Sequence, residues 1–521
     1  MRSDFLSFIA HRYICIVSAF LPMAMVSACD LSPDYTLPKI QLSELFKEDN
    51  TESKILVEPV VTSNVVAPIT DGRWKRFDKT AKLTEIAWWR MFDDDTLNTL
   101  MDTAMKDNPS LVVAIERVNA ARGNADETGA PLLPSVSVGF GPERLQQSSA
   151  AINANLPPEA QIRTQPYTLY TARGTISYEL DVFGKNRATA RAASHDAEAQ
   201  QDDYLAARTA LQAEVAQAYF RLMSLRNEES AVNESLAALE EKLALTKRKQ
   251  QVGAIDNVVL FDVEKAFATA QSDAAIVAQS RAASEHALAL LLGIVPSQLD
   301  VKTSSLSKAP PQVPAGLPSS LLERRPDIKS AERKIAAANE RIGVARSGYF
   351  PDISLSASGG TVASVVEDLF KWSSRTWALG PLAGTILTQP IFEGGRLAAV
   401  RAQADANYNG AVATYRESVL KAFEEVEDQL SSVRQNAIQV AAAKNGFNAA
   451  ASAYGIAQAR FKVGTISKLE YLDAKRGWLQ AKRSNSQALG EHYIATVQLV
   501  KALGGAWQDN PGPEKIGADI Q

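Results

Sequence analysis

The chain reads as two copies of one plan, and that duplication limits its folds more than any other feature. "NPSLVVAIERVNAARGNADETGAPLLPSVSVGFG" begins at Asn108, and "RPDIKSAERKIAAANERIGVARSGYFPDISLSASG" begins at Arg325. Pro109 with Pro326, Ala114 with Ala331 and Pro134 with Pro351 share one offset. "GTISYELDVFGKNR", Gly174 to Arg187, matches "GTILTQPIFEGGR", Gly384 to Arg396. A second constant offset relates Glu214-Val215 to Glu425-Val426, Val252-Gly253 to Val463-Gly464, Asp262 to Asp473 and Leu292-Gly293 to Leu503-Gly504. Spacing held over so many landmarks means one supersecondary unit used twice.

Each copy predicts the same order of elements. A first helix over 96–130, or 320–349, stops before Pro134 or Pro351. Strands follow. "PSVSVGF" sets Val136, Val138 and Phe140 against Ser135, Ser137 and Gly139, and "DISLSAS" sets Ile353 and Leu355 against Ser354 and Ser356. "YTARGTISYELD" alternates from Tyr170 to Asp181, and a fourth segment, "TWALGPLAGTILTQP", is interrupted by Pro381. Period two is the mark of a strand with unlike faces. Long helical patterns then run from Asn186 to Gln251 and from Gly395 to Val463, roughly 100 Å each at 1.5 Å per residue. Return helices over 257–292 and 468–503 are only about 54 Å long. A first helix and a return helix, end to end, match one long helix. The predicted shape is a rod, with strands at one end, hairpin tips at the other and helix breaks between.

The start of the chain is a targeting signal. Arg2, His11 and Arg12 precede an apolar stretch from Tyr13 to Val26, too short for a helical membrane span, and it ends Val26-Ser27-Ala28-Cys29. "VSAC" resembles a bacterial lipobox, with cleavage before Cys29 and a diacylglyceryl group on its thiol. The alternative is an ordinary secretory signal with an incidental cysteine. The only other cysteine, Cys15, lies in the removed segment, so the mature chain has no disulfide. Asp30 follows directly, and in some bacteria an aspartate there holds lipoproteins at the inner membrane.

Four strands cannot close a barrel, and lipid tolerates no open sheet edge. Small polar residues alternating with apolar ones suit a watery lumen inside a lipid-facing wall. Several chains pooling their strands would satisfy both. The competing reading is a pair of soluble β-hairpins. The formal charge of -4 gives no basic footprint for nucleic acid.

Here the sequence resembles a known family over nearly the whole mature chain. The segments are "ACDLSPDYTLP", "WWRMFDDDTLNTLMDTAMKDNPSL", "ELDVFG", "QPIFEGGR", "FEEVEDQL" and "FKVGTISKLEYLDA". They are similar to the TolC-type outer-membrane efflux protein family, in its lipid-anchored OprM/NodT-like branch. The resemblance implies an α+β membrane protein. Each duplicated chain would give four β-strands to a shared, twelve-stranded trimeric barrel, above a long α-helical periplasmic barrel. It implies a homotrimer in the outer-membrane lipid, exporting small molecules delivered by an inner-membrane pump, of RND type, through a periplasmic adaptor. It implies no cofactor. The expected organisation is a signal peptide (1–28), a lipid-anchored leader (29–95), a first repeat (96–310), a second repeat (311–505) and a tail (506–521).

The turns between long and return helices are the candidate sites. Gly253 and Gly464 supply the left-handed residue that ends a helix. Ser467 with Glu470 forms an S-x-x-E capping box and Asp256 is the matching cap, with Ile466 stapling to Tyr471 and Ile255 to Leu260. Turning the chain could be their whole role. The resemblance adds another: Val252, Gly253, Ala254, Ile255 and Asp256, with Val463, Gly464, Thr465, Ile466 and Ser467, would be the adaptor-docking tips. Asp473 and Glu470 would then form the acidic periplasmic gate, with Asp262 alone surviving in the first copy. Capping accounts for Glu470, so Asp473 is the stronger candidate.

Other features are weaker. "FEEVEDQL", Phe423 to Leu430, lines a tunnel or is a solvated face; Trp88-Trp89 fits helix packing; Arg173 fits a barrel lumen. His195, His286 and His492 are scattered, and no nucleophile elbow or P-loop accompanies them, so neither enzyme nor metal site is expected. A duct for polypeptide secretion is the competing function, and a periplasmic helical adaptor a more distant one.

Overall fold

The computed structural model describes residues 30–38, 48, 87–150, 154, 157, 163–302, 309–313, 320–380 and 384–505. Cys29, the signal segment and the tail lie outside them. The first copy runs α1 (Asp95–Asp107), α2 (Pro109–Gly129), β1 (Ser135–Leu145), β2 (Tyr167–Leu180), α3 (Lys185–Gln251) and α4 (Asn257–Leu291). The second runs α5 (Ser320–Arg324), α6 (Pro326–Ser347), β3 (Asp352–Ala363), β4 (Arg375–Leu379), β5 (Thr385–Thr388), α7 (Arg396–Lys462) and α8 (Lys468–Ala502). No described helix is long and apolar enough to cross a membrane.

Two expectations need correction. The first helix of each copy is broken. Proline lacks an amide hydrogen and suits the first helical position, so a new helix starts at Pro109 and again at Pro326. Asn108 caps α2 by accepting from the Ser110 and Leu111 amides. The fourth strand is also split, giving five strands. β4 and β5 share one edge of β3, and between them Gly384 takes φ +102. Pro381, the interruption expected from the sequence, lies outside the described residues.

Contacts divide the chain into two units. One comprises Met1–Thr36, Asn119–Glu198 and Arg333–Ala413. Its centre is an antiparallel sheet ordered β1-β2-β3-β4, with β5 also on β3. Directly paired residues share a face, and the register sorts the faces into rows. Val136–Ile176–Ala357–Leu379 and Val138–Gly174–Gly359–Trp377 are rows of one face. Ser137–Thr175–Ser358–Ala378 and Gly139–Arg173–Gly360–Thr376 belong to the other. The apolar face is bare: Val136 is 70%, Val138 83% and Trp377 76% exposed. Arg173 lies on the polar face, across from Gly360, where any Cβ would overlap the Ala172 carbonyl.

The other unit comprises Leu37–Val118, Ala199–Glu332 and Thr414–Gln521. Its core gathers Trp88, Trp89, Leu97, Met101, Tyr219, Phe220, Leu288, Leu292, Tyr493 and Val497. Trp88 and Trp89 meet edge to face at 6.0 Å, and the Trp88 indole donates to Gln212 at 3.1 Å. Tyr219 donates to Asp94, the cap of α1, at 2.7 Å. The helix breaks dock here. Asn108 Nδ2 donates to the Leu291 carbonyl at 2.8 Å, and Gly293, with φ +72, leaves no room for a Cβ against Asp107. The second copy repeats this joint, with Arg325 donating to the Ala502 carbonyl at 3.0 Å and Gly504 pressed on Arg324.

Candidate functional site

Both tips use the same backbone device. At the end of α3, the Gly253 amide donates to the Gln250 carbonyl and the Ala254 amide to the Lys249 carbonyl, both at 2.9 Å. At the end of α7, Gly464 donates to Phe461 at 3.0 Å and Thr465 to Arg460 at 2.9 Å. This double bond pattern is the Schellman closure, and it requires the left-handed φ of +72 at Gly253 and +77 at Gly464. A Cβ at either glycine would meet nothing within 4 Å. Torsion, and not crowding, therefore demands glycine. Val252 and Val463 stand 79% and 74% exposed, while Ile255 and Ile466 are half-buried.

The tips diverge where the next helix begins. The Ser467 amide donates to Glu470 Oε2 at 2.7 Å, and the Glu470 amide returns to Ser467 Oγ at 3.3 Å, completing the capping box. Hydrogen bonds from the Ser467 amide, and from its side chain, hold the Glu470 carboxyl below the usual range. Asp256 occupies the same place in the first tip, yet its side chain makes no capping bond. Instead, Gln250 donates to the Asn257 side chain at 3.0 Å across the turn. That corrects the expected Asp256 cap.

Asp473 is tied within the chain. Lys242 Nζ lies 2.5 Å from its Oδ1, with Lys242 18% and Asp473 48% exposed. The pair belongs to a ladder between antiparallel α3 and α8: Glu241–Lys468 at 2.9 Å, Glu234–Lys482 at 3.2 Å and Glu228–Arg483 at 2.7 Å. Asp262 is exposed and has no ion pair among the described residues.

Sequence reasoning missed one feature of the second hairpin. Phe461 stacks on Tyr471 at 5.0 Å, Tyr471 meets Tyr454 at 5.7 Å, and Tyr454 stacks on Trp478 at 5.0 Å. The two tyrosine hydroxyls are 2.9 Å apart. Burial and the Tyr471 bond push the Tyr454 phenol up to about 12. Lys468 lies over Phe461 and Tyr471, and Lys482 over Trp478, at 5.1 to 5.7 Å. The signal was present: Tyr454 and Phe461, and Tyr471 and Trp478, are each seven apart, two turns along one helix face. The first copy carries Leu243, Gln250, Leu260 and Phe267 at the matching places.

Among the weaker candidates, "FEEVEDQL" is partly internal. Val426 is buried, Phe423 and Leu430 pack beside it, and Glu425 pairs with Arg325 at 2.7 Å. His492 is buried, His195 pairs with Glu198 and His286 is exposed. No cluster that could hold a metal ion occurs among the described residues.

Comparison with known proteins covers most of the chain. The family model described as "Outer membrane efflux protein" matches residues 100–294 and 317–505. The pyoverdine export outer membrane protein OpmQ of Pseudomonas putida is 29% identical over 448 residues, 86% of this chain and 94% of the relative. The probable efflux pump outer membrane protein SepC of the same species is 30% identical over 499 residues, 93% of this chain and 95% of the relative. The solved CmeC outer membrane channel of Campylobacter jejuni superposes with a TM-score of 0.78 at 24% identity, covering 92% of this chain and 96% of that one.

Proposed function

The chain belongs to the outer membrane efflux protein family and is an outer-membrane efflux duct reaching into the periplasm, and on that premise we propose that three copies pool their strands into one barrel. The supporting observation is the sheet. Among the described residues its apolar rows are bare, β1 is open on one edge and the β4–β5 line on the other. A bilayer offers no partner for those edges, so strands of further copies must. Each mature chain then divides into an anchored leader (29–95), two repeats (96–310 and 311–505) and a tail (506–521).

The same reading gives Cys29 a lipid anchor and makes the duct passive, with no catalytic residue. A periplasmic adaptor docks on the open tips and links the duct to an inner-membrane pump of RND type. Cargo is then small molecules chosen by the pump. The tips suit docking because their glycines stand in open space with an exposed valine beside each. Asp473, with Glu470, narrows the periplasmic end of the pore, and once Asp473 parts from Lys242 the like charges gathered there favour opening and attract cations.

Gly464 is a poor place for a probe, since its φ of +77 strains any side chain. Val463→Cys keeps the turn. In cells it should crosslink to a helical hairpin of the adaptor, and the purified duct should run as a trimer in detergent. Crosslinks confined to other duct chains would count against docking, and a monomer in detergent against pooled strands.

A further inference from the structure

The leader does not leave Asp30 free. Arg191, near the start of α3, reaches both of its carboxylate oxygens, at 3.1 and 2.8 Å through Nη2. The Ser32 amide donates to Asp30 Oδ1 at 3.0 Å. Arg191 is itself held in place, with Nε and Nη2 on Glu340 of α6 at 3.0 and 2.7 Å. Glu340 also accepts from Ser32 Oγ at 2.8 Å. The backbone beyond is fastened as well: Asn339 donates to the Pro33 carbonyl at 2.7 Å and Arg346 to the Leu31 carbonyl at 3.3 Å. Gly343 lies beneath, and a Cβ there would overlap Ser32. This is a built dock for residues 30–33.

We propose that Arg191 masks Asp30, so that the folded chain carries no free carboxylate beside its acylated cysteine. The proposal rests on reading Cys29 as lipidated. A carboxylate next to acyl chains sits at headgroup depth, where its natural partner is the ammonium of a zwitterionic phospholipid. Such a pairing would keep the chain in the membrane where it was acylated. In this chain both oxygens already face Arg191, while the Asp30 side chain stays 52% exposed. Protonation does not do the masking. Burial opposes the charge, but the Ser32 amide and Arg191 outweigh it and keep the Asp30 carboxyl below its usual range. Asp30 is therefore ionised and paired, in a charge-assisted contact with the single Nη2 that also reaches Glu340. The arrangement reconciles the aspartate with an outer-membrane destination.

The test compares wild type, Arg191→Gln, Asp30→Ser and the double variant in the native host. Inner and outer membranes are separated by density, and labelled palmitate reports acylation. Arg191→Gln should move most of the protein to the inner membrane. Asp30→Ser should stay in the outer membrane, and in the double variant it should restore sorting. Outer-membrane sorting of labelled Arg191→Gln as in wild type would overturn the proposal. So would a double variant as mislocalised as Arg191→Gln, since the defect would then be folding. Wild type that takes no label would instead remove the lipid reading on which the proposal stands.

Discussion

The two tips share a backbone and differ in side chains. Each closes with the same pair of amide bonds around a left-handed glycine. The second adds a capping box, a four-ring aromatic ladder and an ion pair between its acid and α3. The first has an uncapping Asp256, an exposed Asp262 and no matching ladder. A duplicated turn is kept by torsion, which no other residue type satisfies easily, while the surrounding side chains are free to specialise. The second hairpin is the stiffened one, and it is also the one that carries Glu470 and Asp473.

The ladder should carry the largest difference. Tyr471→Ala removes contacts with two rings and one lysine, for an expected local loss of about 2 kcal/mol, from stacking worth roughly 0.5–1.5 kcal/mol per pair plus lost burial. Leu260→Ala, its counterpart, should cost about half as much. Native-state hydrogen exchange of the amides at both tips reads this directly. Equal protection losses would mean the rings do not stiffen the hairpin.

The caps come next. Ser467→Ala should destabilise the second tip by about 1 kcal/mol, whereas Asp256→Ala should change the first by a few tenths. Acid should separate them too. Glu470 is held below the usual carboxyl range in the folded tip, so its contribution is present above that range and is lost as pH falls through the depressed value. The second tip should fray at acid pH through this group. Fraying of both tips alike would show that the capping box is not responsible.

The smallest effect in stability has the clearest readout in conductance. The Lys242–Asp473 pair is half exposed on one side, so breaking it should cost well under about 1 kcal/mol. In planar bilayers, Lys242→Ala frees the acid and should raise conductance and cation preference. Asp473→Ala removes the acid and should lower cation preference. Matching responses from the two variants would mean that Asp473 acts only as a tie and not as a pore charge.

These differences also show what was legible in the sequence. Turns, long helices and strand faces were readable because each rests on local rules: glycine torsion, period 3.6 and period two. The faces of β1 and β2 follow the alternation of Val136, Val138 and Ile176 with serine, threonine and glycine. The break at Asn108 was signalled by Pro109, but the helical period continues across it and hid the extended residue between the helices. The Asp256 cap looked correct by residue type, yet capping depends on a side-chain geometry that residue type does not specify. Lys242 was out of reach, because it meets Asp473 across 231 positions of chain. The role of Asp30 was hidden likewise, since Arg191 and Glu340 come from different copies of the repeat.

The bare sheet has a consequence for the life of the chain before assembly. Between synthesis and insertion, β1 offers unpaired backbone along one edge and Val136, Val138 and Phe140 at 70%, 83% and 68% exposure. Such an edge is a template for indiscriminate strand addition. A newly exported copy must therefore be escorted, or must find its siblings faster than it finds strangers. Overproduction should fill the periplasm with aggregates seeded at β1 well before it disturbs the helices.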